Sequence, residues 1–236
     1  MNSTKLRGYL TGLILGDGSI DKGVQKRSFS IKSINKDFID KIFKDLREAT
    51  DFDIKIKEVP MQIKNGVTHR IYWELRVKAH PYFKKKYNYF YDDYRKRRIT
   101  KECLSWLNEE GLANWYMSDG YITLVGKTKG EIKSRRVDIC TDRYKKEDVE
   151  KIKEYFQETW DIKTSLIKRN DVYRIRISLQ DSQKFFLLIN PYITDSFKYK
   201  LNLSYDYQPT WMCDEYYNLM KEIQKCEYPT ENRNKI

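Results

Sequence analysis

A chain of 236 residues can bury a sizeable core, and its 46 Lys and Arg against 34 Asp and Glu leave a formal charge of +12. That excess points to a polyanion, nucleic acid being the commonest, although a ribosomal or membrane-surface protein shares the same balance. Cys103, Cys140, Cys213 and Cys226 form no CxxC pair and have no neighbouring His, which excludes a zinc site or disulfide frame, and no signal peptide or bilayer-length apolar run is present. The expectation is a soluble, intracellular protein without a membrane partner, its compartment unspecified.

In chain order, residues 5–17 are predicted as a helix with Leu10, Leu13 and Ile14 on its buried face. Gly12 and Gly16 sit one above the other and leave a bare groove for a second helix, and Gly18 is placed for a left-handed cap. Asp17 then falls at the negative end of the helix dipole, where a carboxylate is disfavoured unless a cation accompanies it. A solvated Asp on a capped core helix is the plain alternative. Residues 24–33 read as a half-buried strand, and Asn35 as the cap of a helix carrying Phe38, Ile39, Ile42, Phe43 and Leu46. Strands follow at 53–59 and 70–78, then an aromatic and basic helix at 81–94, a cationic turn at 95–98, and a helix at 102–119.

That helix ends in Asp119-Gly120, repeating Asp17-Gly18 at an interval of 102 residues. Ser30-Ile31 pairs with Asp138-Ile139 and Ile54-Lys55 with Ile162-Lys163, both at 108; Tyr72 pairs with Tyr173 at 101, and Arg98-Ile99 with Lys200-Leu201 at 102. The interval drifts by loop-sized amounts and recovers, as an internal duplication does. In the second half Tyr173, Ile175, Ile177 and Leu179 alternate with Arg174, Arg176, Ser178 and Gln180, and residues 134–141 alternate likewise through Arg136 and Asp138. Residues 209–226 are expected to form a packing helix. Each half thus offers an antiparallel sheet with one face apolar and the other rich in Arg, Lys, Ser, Gln and Tyr. Any single strand of this kind is also an ordinary solvated sheet face. Strands in a major groove can read base edges with Arg and Gln while Lys holds phosphates. The open-face candidates are Ser28, Ser30, Lys32, Lys55, Lys57, Arg70, Tyr72, Arg76 and Lys78, with Arg136, Asp138, Lys163, Arg174, Arg176, Ser178 and Gln180 in the second half.

The segment Leu10-Thr-Gly-Leu-Ile-Leu-Gly-Asp-Gly18 resembles the nonapeptide of the LAGLIDADG homing endonucleases at Leu10, Gly12, Leu13, Ile14, Asp17 and Gly18. Leu112–Gly120 is a weaker copy, matching at Leu112, Ala113, Asp119 and Gly120. The resemblance is to the single-chain, two-repeat members and covers about residues 5–205. It implies an α+β fold, a pseudo-symmetric duplication of αββαββα whose two antiparallel sheets form a DNA-binding saddle, with repeats at 1–101 and 102–236. It implies a monomer that binds a long asymmetric double-stranded DNA target, hydrolyses one phosphodiester per strand across the minor groove and leaves short 3′ overhangs.

For the site, the resemblance implies motif helices packed through Gly12, Gly16, Ala113 and Ser118, with Asp17 and Asp119 side by side at the scissile phosphates. Divalent metal between the carboxylates would relieve their repulsion, with the carbonyls of Gly16 and Ser118 as further donors. Mg2+ is the expected cofactor, with Mn2+ substituting and Ca2+ binding without cleavage. A basic residue is expected near each scissile phosphate, Lys200 in the second half and Arg98 or Arg97 in the first, with Lys96 beside them. The same cluster also reads as a plain phosphate clamp. Asn114 and Trp115 depart from the small residues usual in the second motif, so helix packing there is expected to be looser or offset. His69 and His80 are too few for a histidine-based nuclease site, and an Asp119, Glu131, Lys133 metal site is a chance spacing. An intron RNA maturase and a cleavage-deficient DNA-binding regulator remain alternatives; no self-splicing ends are seen. Retention of both aspartates favours cleavage.

Overall fold

The computed structural model describes residues 1–21, 23, 27–60, 62–64, 67–69, 71–128 and 131–226. Arg70 and residues 24–26 of the expected 24–33 strand lie outside the described residues, as do the side chains of His69, Glu131 and Lys133.

Two helices form the centre. In α1 (Ser3–Leu15), capped by the Asn2 side chain accepting from Lys5 N, every residue from Gly8 to Leu15 is buried. In α5 (Glu109–Asp119) the same holds from Gly111 to Met117, and the Asn108 side chain caps the start by accepting from Gly111 N. A helix buried on all sides must be enclosed by the rest of the fold, and here α1 and α5 pack on each other.

The first sheet is built from β1 (Ser19–Ile20), β2 (Phe29–Ser33), β3 (Ile54–Val59) and β6 (Tyr72–Val77), with α2 (Lys36–Ala49) between β2 and β3. A two-stranded hairpin, β4 (Gln62–Lys64) and β5 (Val67–His69), lies between β3 and β6, and α3 (Pro81–Phe90) and α4 (Lys101–Ser105) lead to α5. The second sheet comprises β7 (Gly120–Thr128), β8 (Glu131–Ile139), β9 (Thr164–Arg169) and β10 (Val172–Ile177), with α6 (Lys146–Trp160) between β8 and β9 and α7 (Leu179–Ile189) after β10. Strand order is β1-β2-β6-β3 in one sheet and β7-β8-β10-β9 in the other, all antiparallel. The fold is therefore α+β, a duplicated αββαββα. Phe38, Ile39, Ile42 and Leu46 of α2, and Val149, Ile152 and Phe156 of α6, bury the apolar face of their own helix. Across the middle, Lys41 of α2 pairs with both Asp45 (2.6 Å) and Glu110 of α5 (2.9 Å), and Tyr9 Oη donates to Asp45 (3.0 Å). A 3-10 helix, Asp195–Leu201, and α8 (Asp214–Lys225) complete the chain. The α8 helix packs on the second repeat as expected, with Tyr216 Oη donating to Leu201 O at 2.6 Å.

Several sequence expectations need correction. The first helix ends at Leu15, not at Asp17, so the carboxylate stands in the turn beyond it. Gly18 is not left-handed; Gly126 is the glycine with positive φ among the described residues. Gly18 is required for clearance, because a Cβ there would lie 2.5 Å from Leu13 O and 2.8 Å from the Phe29 ring. The 81–94 helix stops at Phe90, and the 102–119 helix is broken between Ser105 and Glu109. Asn35 holds the cap position of α2 without a side-chain cap hydrogen bond. Register changes two of the repeat pairings. Arg76 opposes Ser30 and Lys55, while Arg176 opposes Asp138 and Ser165, so Arg76 corresponds to Arg176 and Lys55 to Ser165. A slip of one residue turns a strand's faces over, so the true correspondence is Trp73 with Tyr173.

No helix among the described residues is long and apolar enough to cross a membrane. The four cysteines are free.

Candidate active site

The close approach of α1 and α5 rests on missing side chains. A Cβ on Gly12 would fall 1.8 Å from Gly111 O, and one on Gly111 would fall 2.3 Å from Gly8 O. A Cβ on Gly16 would lie 2.6 Å from Ser118 Cβ. The expected contacts of Gly12, Gly16 and Ser118 are therefore present, and Gly111, which the sequence did not single out, meets both Gly12 and Gly8. Trp115 and Asn114 are buried, and the tight crossing lies a turn earlier on α5, so the packing is offset and not loose. This crossing brings the two helix ends together, and with them Asp17 and Asp119.

Asp119 is the last residue of α5. Burial and the negative charge of Asp17 push its carboxyl from 3.8 up to about 7, against the pull of Arg143, Arg97 and Lys200. Asp17 is more open, with 44% of its side chain exposed. Its Oδ1 accepts from Arg143 Nη2 at 3.1 Å. One cleft of about 440 Å3 is bordered by Asp17, Ser118 and Lys200.

The C-terminal carbonyls of α1 lack partners within the helix and are held by donors from elsewhere. Arg97 Nη1 donates to Ile14 O and to Gly16 O (3.3 Å), and its Nη2 donates to Gly18 O (2.5 Å). Tyr144 Oη donates to Leu15 O at 3.0 Å, and Arg143 Nη1 to Gly16 O at 3.2 Å. Arg98 points away, its guanidinium on Asn88 O, so of the two first-half candidates Arg97 is the one the fold brings to the motif. Lys96 is exposed in the turn, its backbone N–H bonded to Asp92. On the other side, Lys200 Nζ donates to Met117 O at 2.6 Å, and the 3-10 helix that carries it is tied down by Tyr116 Oη donating to Lys200 O at 2.9 Å. Burial lowers the Lys200 ammonium from 10.5 to about 8, although Asp119 and Asp17 both favour its charged form.

The donor set suits a hard divalent cation. Among the described residues no group of three His, Cys, Asp or Glu gathers as a closed metal cage. Two carboxylates that repel, with remaining positions left to water and phosphate, is the arrangement Mg2+ favours. Ser118 O lies in the last turn of α5, where carbonyls have no helical partner. Gly16 O, the other expected donor, already accepts from both Arg97 and Arg143.

The sheet faces turned away from the helices differ between repeats. In the first, Ser30, Lys32, Lys55, Lys57, Tyr72 and Arg76 share the open face, with Lys32 Nζ 5.3 Å from the Tyr72 ring. Lys78 pairs with Asp53 at the strand end, and Ser28 Oγ lies 3.4 Å from Asp21. In the second, Arg136 and Arg176 share the open face, whereas Asp138 is only 1% exposed and serves as a partner for Arg176. Ser178 and Gln180 are not on it. Ser178 caps α7, accepting from Asp181 N at 3.1 Å, and Gln180 belongs to the helix. Lys163 is exposed just before β9. Sequence reasoning missed Arg143, Tyr144 and the strut formed by Asp142, Arg174 and Tyr121. The orphan carbonyls at the end of α1 were the signal that donors had to come from elsewhere.

Two pseudo-symmetric sheets hung on a glycine-cleared helix pair, with an aspartate at each helix end, define a duplicated DNA-endonuclease architecture. The chain belongs to the LAGLIDADG DNA endonuclease family, which matches residues 7–185. It is 28% identical over 194 residues to the probable intron-encoded endonuclease 1 of Wickerhamomyces canadensis, covering 81% of each protein. Among solved structures, the homing endonuclease I-WcaI bound to its DNA recognition sequence is similar at 26% identity and a TM-score of 0.72, over 86% of this chain and 88% of that one. I-DmoI in complex with DNA and Ca shares the fold at 21% identity and a TM-score of 0.51, over 80% of this chain and 91% of that one.

Proposed function

We propose that this chain is a site-specific endonuclease that binds a long asymmetric double-stranded DNA target as a monomer and hydrolyses one phosphodiester in each strand across the minor groove, leaving short 3′ overhangs. The observation that carries it is the coupling of Asp17 and Asp119 at the ends of two helices that touch backbone to backbone. A pure binder gains nothing from two repelling carboxylates set where a polyanion docks. Residues 1–101 and 102–236 form the two repeats, each presenting one sheet to one half of the target.

Asp17 and Asp119, with Ser118 O, would hold divalent metal, Mg2+ or Mn2+. When bound, such an ion polarises the phosphate, activates a water and neutralises the leaving 3′ oxygen. The chain's own groups do the rest. Arg97 fixes the turn that carries Asp17 by holding the carbonyls on both sides of it. Arg143 neutralises Asp17 and orients its carboxylate. Lys200, held against Met117 O with its ammonium lowered to about 8, can give or accept a proton near neutral pH beside the phosphate. Arg cannot do so in the first repeat, and the two strand cuts are expected at unequal rates.

The test is incubation with DNA spanning the gene's own insertion site, with and without Mg2+. Double-strand cleavage only with the metal supports the reading. Tight, specific binding without cleavage in Mg2+ or Mn2+ contradicts it and leaves a regulator.

A further inference from the structure

The duplicated sheets place equivalent residues in equivalent rows. Next to the active centre the first sheet carries the row Ser19, Ser30, Arg76, Lys55, and the second carries Tyr121, Asp138, Arg176, Ser165. Both rows start two residues after a motif aspartate, and both hold an arginine at the same place. The surroundings of the two arginines differ. Arg76 is 59% exposed, contacts Glu74 through one bond at 3.2 Å and has Lys55 opposite it. Arg176 is 24% exposed, and its Nε and Nη2 donate to Asp138 Oδ1 and Oδ2 at 2.7 and 2.9 Å.

That pairing fixes the guanidinium plane and uses two of its five N–H groups. Among the described residues no partner takes the edge formed by Nη1 and the outer hydrogen of Nη2, on a side chain that is 24% exposed on the open face. Asp138 is held in its turn by burial. The neighbouring arginine is fixed more completely: Arg174 donates to Asp142 through Nε (2.6 Å) and Nη2 (2.5 Å), and through Nη1 to Tyr121 Oη (2.8 Å). Arg174 is therefore a strut that seats Tyr121 beside Asp138, and Arg176 is the arginine with a whole donor edge left. An arginine pre-set by a carboxylate matches one target in the major groove, the O6 and N7 acceptors of guanine. A loose arginine between Lys55 and Ser30 suits phosphate or several bases.

We infer that Arg176, oriented by Asp138, reads a guanine in the half of the target bound by the second repeat, at a position close to the cut. Arg76 imposes no matching preference in the other half, so the two halves differ in stringency near the centre. Arg176 is the reading residue and Asp138 a positioning residue. This rests on the DNA-binding reading above.

The experiment selects bound sequences from a randomised duplex pool in Ca2+ with the wild-type chain, Arg176→Lys and Asp138→Asn. The wild type should enrich a motif with a guanine in the second half next to the centre. Arg176→Lys keeps the charge but not the bidentate edge, and should lose that guanine while keeping the rest of the motif. Asp138→Asn should weaken the same position alone. On the selected target, changing this guanine to adenine should cost the wild type about ten- to a hundredfold in affinity and Arg176→Lys about nothing. With the wild-type protein, 7-deazaguanine at that position should weaken binding, because N7 is removed, whereas inosine should not. That arm needs no variant to fold. Persistence of the guanine with Arg176→Lys, or indifference to 7-deazaguanine, overturns the inference and leaves the proposed function standing. A wild-type pool that enriches no motif overturns the proposed function itself.

Discussion

Gly12 and Gly16 make different demands on the helix crossing, and alanine at each separates them. At Gly12 the new Cβ meets backbone, 1.8 Å from Gly111 O and 2.4 Å from Gly111 C. Real contacts of this kind stay beyond about 3 Å, so the helices must part by more than 1 Å over a fully buried surface. Overpacking of that sort costs roughly 1–3 kcal/mol and more where backbone must move, set against about 1 kcal/mol gained from replacing a helical glycine. A net loss of roughly 2 kcal/mol lowers Tm by about 4–8 °C in a protein of this length. Because the same shift separates Asp17 from Asp119, cleavage should fall about a hundredfold. At Gly16 the Cβ meets a side chain, Ser118 Cβ at 2.6 Å and Oγ at 2.7 Å. Removing that side chain should restore the space, so Ser118→Gly rescues Gly16→Ala, while no change of side chain at Gly111 can rescue Gly12→Ala. Thermal unfolding and cleavage rates of the single and double variants are the assay. A Gly12→Ala protein with wild-type Tm and wild-type cleavage would refute the backbone contact on which the site depends.

Asp119 makes metal-free stability depend on pH. Its carboxyl titrates near 7 in the fold and at 3.8 when unfolded, so between those values the native state binds the extra proton. Stability should fall as pH rises through that window, by roughly 2 kcal/mol between pH 5.5 and 8, and Asp119→Asn should remove most of the difference in urea midpoints measured at the two values. Lys200→Ala should slow cleavage about a hundredfold with affinity changed only a few-fold. A large loss of affinity at an unchanged rate would make Lys200 a phosphate clamp. Arg97→Ala strips donors from Ile14, Gly16 and Gly18 carbonyls and should lower both Tm and cleavage, whereas Arg98→Ala, which frees Asn88 O away from the motif, should do neither; the reverse ranking would return Arg98 to the site.

What the sequence made legible was local. Gly12, Gly16 and Asp17 sit within one nonapeptide, and the need for clearance beside a buried charge is written in those few residues. Helix α2 and the inner strands follow from apolar spacing. The partner of Gly12 was not legible, because Gly111 is seen to meet it only once the crossing point is known. Arg143 lies 126 residues beyond Asp17 and contacts it from the turn between β8 and α6, which no local pattern links to the first motif. Ser178 and Gln180 continued a convincing alternation past the end of β10, yet the strand stops at Ile177 and Ser178 turns to cap α7. Asp138 looked like a surface residue by alternation, and a carboxylate 1% exposed is explained only by the guanidinium opposite it.

The central claim is that Asp17 and Asp119 together form the cleavage centre of a DNA-binding saddle. Its most direct test is linearisation of a plasmid carrying the selected target, in Mg2+, by the wild type, Asp17→Asn and Asp119→Asn, with binding measured alongside in Ca2+. Linear product from the wild type only, with specific binding retained by both variants, is the result predicted. Full linearisation by either variant would contradict it.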